Sequence, residues 1–243
     1  MKSETFKRHI NNEKKHWWFS GRREILNSIL KKKIEKKKID ILDFGSGSGT
    51  NIELLSKYGF VYIYEKNNKM KNLLKKKYQK SKKITIVEDY TKRKYDLVVA
   101  ADVIEHIKND KKTIKNLYTS LKNKGKILIT VPAFQLLFSI KDIQLKHYRR
   151  YDISELKKLT KNFKTIKLSY FNFFLFVPLS LIILFLKIFK IDFIDYAEKS
   201  PNKIFNKLLY FIFFIEKYFL NYINFPFGLS IIFLGEKNFN LKI

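Results

Sequence analysis

Asp43 stands two residues ahead of Gly45, Gly47 and Gly49, three glycines at alternate positions. An acid leading into such a run is the chemistry of a cradle. The glycines permit a tight turn and let backbone N–H groups approach a ligand with no Cβ in the way. Further acids recur at Glu65, Asp89 and Asp102. An acid at a strand end can accept both hydroxyls of a ribose. Two histidines, His106 and His147, supply side chains that exchange protons near neutral pH. A nucleotide-type cofactor and a proton-accepting base are therefore the chemistry these residue types suggest.

The acids each follow a run of strand type. Ile39–Phe44 is apolar and leads into the glycines, and Asn51–Leu55 reads as the opening of a helix. Phe60–Tyr64, Ile84–Val87 and Tyr95–Ala100 are rich in aromatic and β-branched residues, as strands are. Ile114, Leu117 and Leu121 mark a helix over Asp110–Leu121. Asn123-Lys124-Gly125 reads as a turn and Lys126–Pro132 as a fifth strand. Strands alternating with helices predict a parallel sheet, whose ligands sit beyond the carboxyl ends of the strands. Asp43 with Gly45, then Glu65, Asp89, Asp102 and Pro132, all fall at such ends. A dinucleotide fingerprint would place the third glycine one residue later.

With Asp43 before it, the glycine spacing resembles motif I of class I S-adenosylmethionine-dependent methyltransferases. Tyr95–Ile107, read as "DLV…DVIEHI", resembles motif IV of the same family. The resemblance implies S-adenosyl-L-methionine as cofactor. It would be held by Asp43, Phe44, Gly45, Ser46, Gly47 and Gly49, by Glu65 at the ribose with Lys66 beside it, by Asp89 and Tyr90 at the adenine, and by Ala101 and Asp102. It also implies an α/β, Rossmann-like sheet of seven strands in the order 3-2-1-4-5-7-6, with helices on both faces and the last strand antiparallel. Phe163–Ser169 alternates as a sixth strand would and Leu229–Leu234 reads as the seventh. An apolar helical insert is expected between them. The expected division is an amino-terminal helical cap over 1–36, a cofactor domain over 37–170 and 228–243, and the insert over 171–227.

His16-Trp17-Trp18-Phe19 with Arg22-Arg23, and the block Ser139–Tyr151, resemble signatures of a bacterial methyltransferase group. Its members are often associated with glycan or lipid-linked saccharide pathways. Pro201-Asn202 and Pro226-Phe227-Gly228 are further landmarks of the likeness. The resemblance points to Trp17, Trp18, Arg22, Arg149, Arg150 and Tyr151 as substrate-binding residues. Only six of the 50 basic residues are arginine, so these mark places where planar, bidentate contact to phosphate or carboxylate matters. The plainer alternative is a helix docked on the sheet and salt bridges that pin the loop. Asp152 or Ser154 would cap the helix that follows. For transfer to a hydroxyl, His147 is the expected base, Asp142 orients it or takes the proton itself, and His106 is the other candidate; His9 and His16 are the remaining histidines. No metal is expected, although Asp102, Glu105 and His106 resemble an acidic–histidine set linked to a divalent metal in ubiquinone-biosynthesis O-methyltransferases.

The chain carries no cysteine, which excludes disulfides and thiolate metal sites. Met1–Lys15 is polar and fits no ordinary secretory signal. A cytoplasmic location is expected, peripheral on the cytoplasmic face of a membrane if the insert seats there. The net charge of +28 comes mostly from lysine runs such as Lys31–Lys33 and Lys75–Lys77, which read as solvated helix surface. No specific nucleic-acid partner is expected, and an RNA methyltransferase or a non-catalytic cofactor-binding scaffold are the rival readings. The apolar run Phe173–Leu186 is about 21 Å long as a helix, short of a hydrocarbon core of about 30 Å. Extension to Ile191 adds Lys187 and Lys190. Seating on an anionic membrane surface is the expectation, with a lid, a homodimer interface or a full span as alternatives. The expected acceptor is small or lipid-linked.

Overall fold

The computed structural model describes residues 15–35, 38–189 and 202–238. The first part of the amino-terminal cap, with His9, and Lys190, Ile191 and the Pro201 landmark lie outside the described residues. The elements run α1 (Trp17–Lys33), β1 (Ile39–Phe44), α2 (Ile52–Leu55), β2 (Gly59–Tyr64), α3 (Asn68–Tyr78), β3 (Ile84–Ile86) and β4 (Tyr95–Ala101). They continue with α4 (Asp110–Thr119), β5 (Leu121–Pro132), α5 (Ile140–Gln144), α6 (Ile153–Leu159) and β6 (Phe163–Phe171), and end with α7 (Phe176–Ile188), α8 (Lys203–Leu220) and β7 (Ser230–Lys237).

The seven strands form one sheet in the order 3-2-1-4-5-7-6, as the family resemblance implies. Neighbours among β1 to β5 pair parallel. β7 pairs antiparallel with both β5 and β6, so β6 runs in the same direction as the first five strands. The carboxyl ends of six strands therefore share one rim. Leu97, Val98, Val99 and Ala100 of β4 are all fully buried. A strand with no exposed alternation is covered on both faces. Such cover is expected where the strand order reverses between β1 and β4, because it sends the connections to opposite faces.

Two details depart from the sequence reading. Asn123-Lys124-Gly125 does not end a loop before β5 but lies inside the strand. Tyr95 pairs with Leu121 and Leu97 with Lys126, so the intervening residues bulge, with Lys124 at φ +58°. Pairing with β4 resumes on either side, which is why the turn residues distort the strand rather than bound it. The apolar run after β6 starts its helix only at Phe176, after Asn172 has turned through φ +57°. The resulting α7 has 13 residues, about 20 Å. Among the described residues, no helix is long and apolar enough to cross a membrane.

α8 lies along α1. A Cβ on Gly21 would come within 2.4 Å of Phe213 Cδ1, so the glycine is what lets the two helices approach. Trp17 N donates to Asn206 Oδ1 at 2.9 Å, and Lys217 pairs with Glu24 at 3.1 Å.

Candidate active site

The glycine loop leaves β1 where Gly45 N donates to Tyr64 O at 2.8 Å. Gly45, Gly47 and Gly49 take φ values of +74°, +54° and +81°, a left-handed conformation that favours glycine. Their surroundings differ. A Cβ on Gly45 would strike Val103 Cγ1 at 2.6 Å, whereas one on Gly47 would meet nothing within 4 Å. The middle of the loop thus borders open space. Glu65 crosses to it from the end of β2: Oε2 accepts from Gly47 N at 2.8 Å and Oε1 from Asn67 N at 2.7 Å.

Asp43 lies beneath the loop, 2% exposed, and its Oδ2 has no hydrogen-bond partner. Burial pushes its pKa up to about 6, against the opposing pull of Ser46 and the Arg22 charge. Phe44, Tyr64 and Tyr90 form an aromatic cluster beside it, with Tyr90 edge-on to Tyr64 at 4.7 Å and to Phe44 at 5.1 Å. Asp89 is exposed and caps the turn at Tyr90–Lys92, accepting from Thr91 N at 2.9 Å and Thr91 Oγ1 at 2.6 Å. Those hydrogen bonds hold its carboxyl below the usual range. Lys66 is exposed and Ala101 half-buried, each next to an acid of the rim.

Asp102 follows β4 with φ +55°. Thr130 Oγ1 donates to its Oδ1 at 2.7 Å, and its Oδ2 pairs with Arg22 Nη1. Arg22 is 4% exposed, so α1 sends a buried cation to the sheet rim. Trp17 and Trp18, one turn before it, meet edge-on at 5.8 Å, and Trp18 stacks on Phe213 of α8 at 5.4 Å. The indoles are thus packed between the sheet end and α8.

The third group comes from the loop after β5. Ser139 caps α5, and Asp142 accepts from Ser139 N at 2.9 Å. Arg150 grips the same carboxylate with Nε to Oδ1 at 3.0 Å and Nη2 to Oδ2 at 2.9 Å. His147 Nδ1 lies 2.8 Å from Asp142 Oδ1. Against its burial, the hydrogen bonds from His147 and Arg150 keep the Asp142 carboxyl far below the usual carboxylate range. An ionised Asp142 makes Nδ1 the donor, which leaves Nε2 of His147 as an acceptor. The His106 ring stands edge-on to His147 with centroids 4.4 Å apart, and burial and the neighbouring His147 lower its pKa.

Glu105 completes the group. It is 1% exposed, neither carboxylate oxygen has a hydrogen-bond partner, and burial pushes its pKa up to about 8. Among the described residues, Glu105, His106 and His147 bring their ligand atoms within 4.8 Å of one another. Asp102, which the sequence grouped with Glu105 and His106, is instead turned to Arg22 and Thr130, because its left-handed backbone points it back at the sheet.

The arginines expected to meet substrate are engaged inside the protein. Besides Arg22 on Asp102 and Arg150 on Asp142, Arg149 Nη1 reaches Asp110 Oδ2 at 2.6 Å. Tyr151 OH donates to the same Asp110 oxygen at 2.9 Å. The bidentate need inferred from their retention is met by Asp142, a carboxylate of the chain itself. Asp110, Thr130 and Ser139 are the partners sequence reasoning missed. Nothing in the spacing singles out Asp110 or Thr130, but Ser139 and Asp142 stand at capping-box spacing and were open to reading.

A family model described as "Methyltransferase domain" matches residues 15–163. An uncharacterised protein of Methanocaldococcus jannaschii is 32% identical over 111 residues, which cover 44% of this chain and 47% of that protein. The chain thus aligns with about half the length of that relative. Among solved structures, phosphoethanolamine N-methyltransferase 2 of Haemonchus contortus, in complex with S-adenosyl-L-methionine, superposes with a TM-score of 0.55 and 21% identity, covering 88% of this chain and 52% of that one. N-methyltransferase NodS of Bradyrhizobium japonicum, in complex with S-adenosyl-L-homocysteine, gives a TM-score of 0.53 and 13% identity over 68% of this chain and 87% of that one. At such identities the likeness speaks for the fold.

Proposed function

The chain belongs to the methyltransferase-domain family, and on that footing we propose that it binds S-adenosyl-L-methionine and methylates a hydroxyl of an amphiphilic acceptor, lipid-linked or glycan in kind. The residues present fit such a cofactor. The open space over Gly47 is where a ligand can approach the backbone, since a side chain there would fill it. Asp43 Oδ2, buried and without a partner, is the acceptor that an ammonium group would satisfy. Glu65 keeps lone pairs beyond its two backbone bonds and suits a pair of ribose hydroxyls. Phe44, Ser46, Gly45 and Gly49 shape the loop, and Tyr90 with exposed Asp89 and Lys66 borders the adenine end. When bound, S-adenosylmethionine supplies an electrophilic methyl group on a sulfonium sulfur.

The remaining work falls to side chains. His147 takes the hydroxyl proton of the acceptor at Nε2, and Asp142 holds the ring by Nδ1. Arg150 keeps Asp142 charged, so that the imidazolium formed has a counter-ion. His106, its pKa lowered, remains neutral beside it and does not repel that charge. Glu105, neutral at pH 7, adds no competing anion. An acceptor with an apolar part is supported by the exposed Leu136, Ile140, Ile143 and Tyr148 around the same loop.

The observation that carries the reading is the clasp of Gly47 on Glu65 across the ends of β1 and β2, over an opening no side chain fills. Calorimetry with S-adenosylmethionine tests the cofactor. Incubation with the methyl-labelled cofactor and a lipid and glycolipid extract tests the acceptor, with label expected in a lipid-linked or glycan fraction. Label found only in RNA overturns the acceptor assignment, and absence of cofactor binding overturns both.

A further inference from the structure

Two helices of this fold each bury a polar side chain and leave a row of apolar ones in solvent. In α7, Ser180 is the buried residue at 8% exposure, with its hydroxyl unpartnered, while Leu181 is 63% and Ile188 73% exposed. In α8, Glu216 is fully buried along with Phe213 and Leu220, while Ile204 is 82% and Phe211 59% exposed. A surface helix in water turns such apolar side chains to its packed side. Phe205 and Leu208 extend the α8 face, and Val177, Ile182 and Phe185 that of α7. Phe174, two residues before α7, has its ring 6.2 Å from that of Phe219 near the end of α8, and Lys187 Nζ ties α7 to Leu136 O at 3.0 Å beside the His147 loop. Apolar exposure on this scale marks a surface that is covered in use.

The charge around it selects the cover. Residues 134–151, 163–189 and 202–227 contain two carboxylates, Asp142 and Glu216, and both are buried. Lys141, Lys146, Lys187, Lys203 and Lys207 of the same segments are exposed. The surface therefore offers apolar side chains and cations, with no anion among the described residues of these segments. A second copy of a chain with net charge +28 would be repelled by it. An anionic bilayer supplies both an apolar interior and negative headgroups.

We propose that the exposed faces of α7 and α8, with the Leu136–Leu145 loop between them and the site, form a monotopic docking surface for anionic lipid. It lies on the bilayer without crossing, since none of the described helices is both long and apolar enough to span. The docking is independent of the group transferred. It would bring the His147 loop to the membrane interface.

Flotation of the full chain with phosphatidylcholine vesicles, with and without one-third phosphatidylglycerol, is the test. The wild type is expected to float with the anionic vesicles and to be released by salt. Leu181→Gln with Phe185→Gln, and separately Ile204→Ser with Phe205→Ser, are expected to cut partitioning at least about tenfold, with the thermal midpoint and S-adenosylmethionine affinity unchanged. Lys203→Glu with Lys207→Glu reads the charge component in case an apolar variant misfolds, and should weaken binding to anionic vesicles only. Failure of the wild type to float, or equal partitioning of all variants, overturns the proposal. So does a wild-type dimer in dilute solution that the same substitutions dissociate. A chain that floats but binds no cofactor would instead overturn the proposed reaction and leave this surface standing.

Discussion

Arg150 holds Asp142 through two parallel hydrogen bonds, 3.0 Å from Nε to Oδ1 and 2.9 Å from Nη2 to Oδ2. The same carboxylate receives His147 at 2.8 Å, so one buried acid fixes both the charge balance and the ring orientation of the proposed base. Arg150→Lys keeps the charge and loses the fork. We expect turnover to fall about 10- to 100-fold, because the lysine cannot hold Asp142 in the plane His147 needs. S-adenosylmethionine affinity should stay within a factor of about two. A parallel loss in calorimetric affinity would place the pair at the cofactor rather than at the acceptor.

His147→Asn removes the acceptor nitrogen. Turnover should drop by roughly 10²–10⁴ with cofactor affinity kept. A variant that retains wild-type turnover would move the base elsewhere, with His106 next to be tested.

The two neighbouring glycines should respond differently to alanine. Gly45→Ala adds a left-handed strain and a collision with Val103, and should cost about 2–4 kcal/mol in chemical unfolding. Gly47→Ala carries the strain alone, about 1 kcal/mol, but its methyl group would stand in the open space of the loop. Its main effect should be a loss of cofactor affinity of tenfold or more. Equal affinity in calorimetry would remove the loop from the binding surface.

Glu105 should leave a signature in stability against pH. Its pKa is about 8 in the fold and near 4.5 when unfolded, so between those values the folded chain holds a proton the unfolded chain has lost. Stability then falls as pH rises through that window. Glu105→Gln abolishes this contribution, so the variant should gain on the wild type by roughly 2–4 kcal/mol between pH 5 and 8. Asp43 at about 6 and Glu216 at about 7 impose the same slope and remain in both proteins, which leaves the difference to Glu105. A constant difference across the window in denaturant midpoints would sink the assignment.

The sheet was legible because its signals are local. Apolar runs ending in acids, with glycines at Gly45, Gly47 and Gly49, needed no long-range knowledge, and the order of the strands came from the family likeness. The placement of the arginines was not legible. Arg22 lies 80 positions from Asp102, and Arg149 lies 39 from Asp110. Only the fold sets such distances, so retention of arginine told of a fork to be filled and not of which carboxylate fills it. The exposed apolar faces of α7 and α8 were half-readable. Composition gave the excess of phenylalanine and leucine, but the burial of Ser180 and Glu216 depends on how α7 and α8 rest against the rest of the chain.

β7 has a consequence for biosynthesis. Of the seven strands of the sheet it is the last to be made, yet it lies between β5 and β6, pairing Ile129 with Phe233 on one side and Leu168 with Phe233 on the other. Until it leaves the ribosome, β6 has no neighbour and β5 keeps a bare edge, while the greasy segments of α7 and α8 have already emerged. The nascent chain must pass through that vulnerable interval before the sheet can be sewn shut, and this is when a chaperone would be needed most.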